Sequence, residues 1–125
     1  MRMSQVMAQV AEVDASRTAV VSGPNLAAEI ARGEPAATVV ASPFQEVIEA
    51  GQHLLSTPKF RVYSSNDLVG IEWAGTLKNI LAIAAGALDA LGMGWNARAM
   101  LITRGLAEMV RFGCAGPVQQ RRSCP

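Results

Sequence analysis

Ile71-Glu72-Trp73-Ala74-Gly75-Thr76-Leu77-Lys78-Asn79-Ile80-Leu81-Ala82-Ile83-Ala84-Ala85-Gly86 is a long apolar run with one lysine near its middle and an asparagine beside it. Wound as an α-helix, it surrounds Lys78 at three, four and seven positions with Ile71, Ala74, Gly75, Leu81, Ala82 and Ala85, none of them charged. A lysine on such a face either reaches water with its ammonium, as lone lysines in apolar helices commonly do, or sits in a site built for it. An unpaired buried charge is too costly for a third option. The small residues Gly70, Ala74, Gly75, Ala82, Ala85 and Gly86 weigh toward the built site. They leave room for another backbone or a ligand, and glycine repeated in a helix needs such a reason. Lys78 is therefore a candidate for chemistry. Residues 68–88 are long enough to cross a bilayer. However, Glu72, Lys78 and Asn79 lie inside the run and no basic cluster flanks it. The reading is a buried helix of a soluble domain, with no membrane span.

Composition narrows the function classes. A chain of 125 residues, half of them apolar, suits one globular domain of ordinary size. Net charge is +1, with no charged block except Arg121-Arg122, so neither nucleic acid nor an anionic membrane is expected as a partner. No apolar core of signal-peptide length follows Met1-Arg2-Met3-Ser4-Gln5, which points to the cytoplasm. Cys114 and Cys124 have no metal-ligand spacing and no histidine nearby; both read as free thiols, and no metal site is expected. The single histidine, His53, falls in a surface helix without an evident partner, which sets aside Ser/His/Asp and Cys/His chemistry.

The first half of the chain alternates between strand and helix patterns. Residues 3–11 read as the end of a helix, 17–22 as a short buried strand, 25–31 as a short helix closed by Gly33, and 36–41 as a second buried strand. Ser42-Pro43-Phe44-Gln45 then predicts a helix start: a capping serine, proline at the first helical position and glutamine at the third, with the helix running to about Leu55. Residues 60–63 form a third strand. The alternation argues for an α/β layer. After Asp67 everything reads as helical. Asn66-Asp67 caps the long helix, Gly92-Met93-Gly94 breaks it, and Asn96 caps another helix over 97–112. Trp95 and Met100 are spaced for a hydrophobic staple, and Arg104 and Glu108 for an ion pair. The boundary between the α/β part and the helical part falls near residues 64–67. Three short strands are few for such a sheet, so the layout reads as a piece of something larger.

Ser22-Gly23-Pro24-Asn25-Leu26-Ala27 lies where a strand ends and a helix begins. Gly23 allows a ligand close to the backbone, Pro24 suits a first helical turn, and free N–H groups there favour a phosphate or carboxylate. A tight strand-to-helix turn would use the same residues. The chain contains neither Gly-x-Gly-x-x-Gly nor Gly-x-x-x-x-Gly-Lys-Ser/Thr.

Together these segments carry a resemblance. Residues 22–29 (Ser-Gly-Pro-Asn-Leu-Ala-Ala-Glu), 35–42 (Pro-Ala-Ala-Thr-Val-Val-Ala-Ser), Phe60-Arg61-Val62-Tyr63 and Asp67-x-x-Gly70-x-Glu72 match the bacterial-type NAD(P)-dependent glycerol-3-phosphate dehydrogenases. So do Leu77-Lys78-Asn79-Ile80-x-Ala82-Ile83-Ala84-x-Gly86 and Gly94-x-Asn96-x-Arg98-Ala99-x-Leu101-Ile102-Thr103-Arg104-Gly105-Leu106-Ala107-Glu108-Met109, in the same order. The last two are the most specific, and favour this family over 6-phosphogluconate-type dehydrogenases. The match spans nearly all of residues 1–113; the tail at 114–125 no longer follows the family.

The resemblance implies the C-terminal part of a Rossmann-type α/β domain for NAD or NADP at residues 1–65. It then implies the first helices of an all-α substrate domain of the 6-phosphogluconate-dehydrogenase-like kind at 66–113. It makes Lys78 the catalytic, substrate-contacting lysine and Asn79 its companion, assigns Gly23 and Asn25 to glycerol 3-phosphate, and assigns Ala27 to the cofactor. The activity implied is interconversion of sn-glycerol 3-phosphate and dihydroxyacetone phosphate for phospholipid synthesis, in a cytoplasmic enzyme whose intact form is a homodimer. The alternative is a truncated fragment that only binds or is inactive. The glycine-rich dinucleotide fingerprint, a second upstream lysine, and the downstream Gly-Asp-Leu and Ser-Arg-Asn motifs of the family are not in this sequence. A lysine partly desolvated by its apolar neighbours would have a lowered pKa and could exchange a proton with the substrate oxygen.

Overall fold

The computed structural model describes residues 1–115, so most of the tail read as a loop, with Cys124, lies outside the described residues. The chain divides into two compact units that meet inside one helix, after Glu72.

The first unit opens with α1, Met3–Val10, close to the expected span. Eight residues are too few to hold a helix in water unaided, and α1 is fastened at its first turn. Glu72 accepts hydrogen bonds from the Ser4 backbone N–H and the Ser4 hydroxyl, both at 2.8 Å, and Arg2 Nε lies 3.1 Å from the same carboxylate. A carboxylate against the first N–H groups of a helix also suits its dipole. Glu72→Ala therefore removes charge-assisted bonds together worth about 1.5–3 kcal/mol. Amide exchange over residues 4–10 is expected to quicken about tenfold or more, while the central strand keeps its protection. Unchanged exchange in α1 would refute the anchor.

A single 3-10 turn, Ala15–Arg17, leads into the sheet. It is capped by Asp14, whose carboxyl is held below its ordinary value by the Ser16 N–H. Strand β1 is Val20–Ser22, β2 is Ala36–Ala41 and β3 is Phe60–Ser65, with β2 in the centre. β1 runs antiparallel to β2, pairing Val20 with Ala41 and Ser22 with Val39. β3 runs parallel to β2, from Ala36 opposite Phe60 to Ala41 opposite Ser65. Between β2 and β3 lies α3, Gln45–Leu55, the crossover that a parallel pair requires. A five-residue α2, Ala27–Ala31, sits between β1 and β2. β1 is shorter than the expected strand over 17–22, and as an edge strand it leaves Val21 exposed.

Val40 and Ala41 of β2, Ile48 of α3, Val62 of β3 and Leu68 form the buried apolar core. Helix and sheet approach closely at Gly51, where a Cβ would come within 2.9 Å of Val40 Cγ1. Among the described residues two polar side chains are buried, and both are bonded, as buried polar groups must be. Thr38 Oγ1 donates to Ser22 O at 3.1 Å, and Ser42 Oγ donates to Thr18 O at 2.9 Å. The expected capping box at Ser42 is corrected: α3 begins at Gln45 with Phe44 at the cap position. Ser42 receives the Phe44 N–H, but its proton ties it to the chain ahead of β1, and Gln45 bonds Glu49 instead.

Helix α4, Leu68–Ala90, starts where Asn66-Asp67 indicated: Asp67 Oδ1 accepts the Gly70 N–H at 2.9 Å. Gly92, at φ +66, turns the chain out of it. α5 follows as Trp95–Ala115. In the second unit the two helices run antiparallel. Trp73 meets Phe112 edge-on at 5.4 Å, a Cβ on Gly105 would overlap Leu81, and Asp89 pairs with Arg98. The helix start expected at Asn96 is corrected, because α5 already includes Trp95 and Asn96. Trp95 does not act as a buried staple: it is 80% exposed, with the Arg98 guanidinium 4.8 Å over its ring. Arg104 and Glu108 pair at 3.4 Å, and Arg111 joins the same carboxylate at 2.6 Å.

α4 is long and apolar enough to cross a membrane by length and composition. The expectation that it is a buried helix is corrected: Leu68 is its only fully buried residue, and Ile80 and Ile83 are 62% and 75% exposed. The reason is geometric. A single partner helix covers one stripe of α4, and the half-buried Leu77, Leu81, Ala84 and Leu88 recur at that helical spacing.

Candidate functional site

The predicted site residues fall into two groups, one in each unit. Gly23, Asn25 and Ala27 share the β1–α2 loop, whereas Lys78 and Asn79 lie on α4.

The loop is a tight turn laid on the central strand. The Asn25 N–H reaches back to Gly23 O at 3.0 Å around Pro24, whose ring-fixed φ suits such a three-residue turn. Gly23 presses against β2: a Cβ there would stand 2.9 Å from Ala37 O and from Thr38 Cα, so no larger residue fits without moving the strand. Asn25 is exposed, and its Nδ2 donates to Thr38 Oγ1 at 3.1 Å. Ala27 is the exposed first residue of α2. α2 is too short, and too poorly capped at Leu26, to be the anion-binding helix start that the sequence suggests. The polar equipment of the loop is instead Asn25 backed by Thr38. Sequence reasoning passed over Thr38. The available signal was that it is the only polar residue in the apolar strand Ala36–Ala41.

On α4, Lys78 and Asn79 are both exposed. Lys78 has no hydrogen bond or ion pair among the described residues. Its helical neighbours Ala74, Gly75, Leu81 and Ala82 are apolar or small, as the sequence indicated, but the expected desolvation is not present. Lys78 lies off the stripe that α5 covers, so its ammonium stays in water. An apolar cavity of about 510 Å³ opens between α4 and α5, lined by Leu77, Leu81, Gly105, Met109 and Phe112 among others; neither Lys78 nor Asn79 lines it. No group of three or more His, Cys, Asp or Glu side chains able to hold a metal occurs among the described residues.

These residues do not make a dinucleotide cradle. The β1–α2 turn has one glycine, and that glycine is filled by the strand beneath it rather than open to a pyrophosphate.

Two family models match the chain. The one described as the NAD-dependent glycerol-3-phosphate dehydrogenase N-terminus covers residues 1–48, and the one described as its C-terminus covers 67–122. The second match runs past Gly113, where the resemblance read from the sequence stops. The glycerol-3-phosphate dehydrogenase [NAD(P)+] of Frankia casuarinae is 53% identical over 115 residues, covering 92% of this chain and 34% of that protein. Its namesake from Corynebacterium glutamicum strain R is 51% identical over 113 residues, covering 90% and 34%. The chain thus spans about a third of the length of the curated relatives it matches. Among solved structures, glycerol-3-phosphate dehydrogenase from Coxiella burnetii is 46% identical with a TM-score of 0.72, covering 81% of this chain and 32% of that one. The Dunaliella salina GPDH structure is 34% identical with a TM-score of 0.83, covering 97% and 20%. An α/β region followed by helices is common to this chain and these neighbours.

Proposed function

Because the chain belongs to the NAD-dependent glycerol-3-phosphate dehydrogenase family, we propose that it supplies the proton-transfer and substrate-contact residues of an enzyme interconverting sn-glycerol 3-phosphate and dihydroxyacetone phosphate. The observation that carries this reading is identity above one half across 115 residues. On this reading residues 1–65 complete a cofactor domain for NAD or NADP and residues 66–113 begin the substrate domain. The enzyme is soluble, cytoplasmic and homodimeric, and it feeds phospholipid synthesis. α4 is a substrate-domain helix rather than a membrane span, since Glu72, Lys78 and Asn79 interrupt it.

Lys78 is the proton carrier. In the reducing direction its ammonium polarises the ketone oxygen and gives it a proton; in the oxidising direction the amine, made neutral once bound substrate and cofactor exclude water from it, takes the proton of the C2 hydroxyl. Asn79 holds a substrate oxygen beside it through its carboxamide. The small residues Ala74, Gly75 and Ala82 leave the space in which the substrate approaches the amine. Gly23 and Asn25 contact the polyol phosphate through the β1–α2 loop. The nicotinamide cofactor would supply the hydride half of the reaction.

The reading is tested by a chimera in which residues 1–113 replace the matching segment of the Frankia relative. The chimera is expected to oxidise NADH or NADPH in the presence of dihydroxyacetone phosphate. A folded chimera that binds the dinucleotide but shows no turnover would contradict it.

A further inference from the structure

Thr38 is 2% exposed and touches two polar partners, Ser22 O and the Asn25 carboxamide, each at 3.1 Å. A hydroxyl has one proton to give. Ser22 O is a carbonyl and can only accept, so the proton goes there. Thr38 Oγ1 then meets Asn25 with a lone pair, and Asn25 must turn its NH₂ end inward. The carboxamide orientation, which geometry alone leaves ambiguous, is thereby decided by chemistry. Asn25 Oδ1 and the second Nδ2–H are left facing outward from an exposed loop, and Oδ1 has no partner among the described residues. One acceptor beside one donor complements an alcohol, which both gives and accepts. The outward carbonyl oxygen repels the oxygens of an ionised phosphate, which are chiefly acceptors at neutral pH.

We propose that Thr38 is a positioning residue that locks the Asn25 carboxamide so that the loop grips a hydroxyl of the polyol phosphate rather than its phosphate. This rests on reading residues 22–27 as a substrate loop. It extends that reading by naming the group recognised and the buried residue that sets the recognition. The hydroxyl contact is made by Asn25; Thr38 acts only through it. Gly23, packed against Thr38 Cα, makes the coupling short, because the loop has no layer of side chains between it and the strand.

The experiment is side-chain amide NMR on the ¹⁵N-labelled chain, titrated with sn-glycerol 3-phosphate and, separately, with inorganic phosphate. In the unaltered chain the Asn25 amide pair is expected to be shifted from free-asparagine values and to respond to sn-glycerol 3-phosphate but not to inorganic phosphate. Thr38→Val should return the pair to free values and weaken the glycerol phosphate response by about 3–10-fold, the loss of one hydrogen bond. Thr38→Ser should restore both. An Asn25 pair unmoved by Thr38→Val overturns the proposal, as does a released pair with an undiminished response. If sn-glycerol 3-phosphate moves no loop resonance in the unaltered chain, the substrate-loop reading falls, and the ligand half of the proposal with it, even where Thr38→Val frees the amide. Should Thr38→Val fail to fold, Asn25→Ala on the exposed loop must abolish the response, and a full response there overturns the proposal equally.

Discussion

Lys78→Arg in the chimera is expected to lower kcat by about 10²–10⁴-fold, the usual contribution of a positioned proton carrier, with little change in KM for dihydroxyacetone phosphate. Arginine keeps the positive charge, so electrostatic attraction to the phosphate-bearing substrate persists. It cannot release a proton near neutral pH, so the oxidising direction has no base and the reducing direction no usable acid. The structure removes the commonest competing explanation, which is misfolding. Lys78 is exposed and has no partner to break among the described residues, and Ala74, Gly75 and Ala82 leave space for the larger head group. Lys78→Met separates the two roles further, since it should lose kcat and also raise KM by removing the charge. Turnover within threefold of the unaltered chimera in Lys78→Arg would end the proton-carrier role.

How much of this was legible in the sequence depends on how local the deciding interaction is. The start of α4 was readable because Asp67 caps Gly70 within three residues, and β2 because Ala36–Ala41 is an apolar run, interrupted by Thr38 alone, between turn residues. The start of α3 was misread because Ser42, a good local cap, is claimed by Thr18 from 24 positions away. The start of α5 was misread because the Gly94 carbonyl opens that helix, which takes in Trp95 and Asn96 from its first turn. The site divides in the same way. The Leu77-Lys78-Asn79 run announces a lysine among small apolar residues, and the structure has that arrangement. Whether those neighbours desolvate the lysine depends on what packs over them, and helical periodicity cannot supply that. α5 takes the stripe through Leu77, Leu81 and Leu88 and leaves Lys78 outside it. Thr38 was hard to single out for a related reason. A threonine in a strand is ordinary, and its role appears only when the β1–β2 register brings the Ser22–Asn25 turn over it.

Ile48→Ala is expected to unfold the sheet unit at moderate temperature, with the apparent Tm falling by about 10 °C or more. Ile48 is fully buried, and among the described residues only Val40, Ala41, Val62 and Leu68 share that apolar interior. Truncation removes the transfer free energy of three carbons and leaves a cavity, about 2–5 kcal/mol for such a side chain. Small domains hold only about 5–15 kcal/mol in all. Relaxation into the cavity is restricted on one side, because Gly51 already sets α3 against Val40 as closely as a helix can come. The cost should therefore fall toward the upper part of the range. Ile48→Val, which removes one carbon, should cost about 0.5–1.5 kcal/mol. Ile83→Ala on the exposed side of α4 should stay within about 0.5 kcal/mol, although all three substitutions are isoleucine-to-smaller changes in apolar-patterned helices. Both tryptophans lie in the helical unit, so the measurement that separates the units is amide exchange of Thr38, Val39 and Val40 followed through a thermal series. Loss of their protection in Ile48→Ala, with α5 amides unchanged, is the expected pattern. Equal melting of Ile48→Ala and Ile83→Ala would mean that the α3–sheet contact is not what holds the first unit together, and that the exposed apolar face of α4 contributes as much to stability as the buried core.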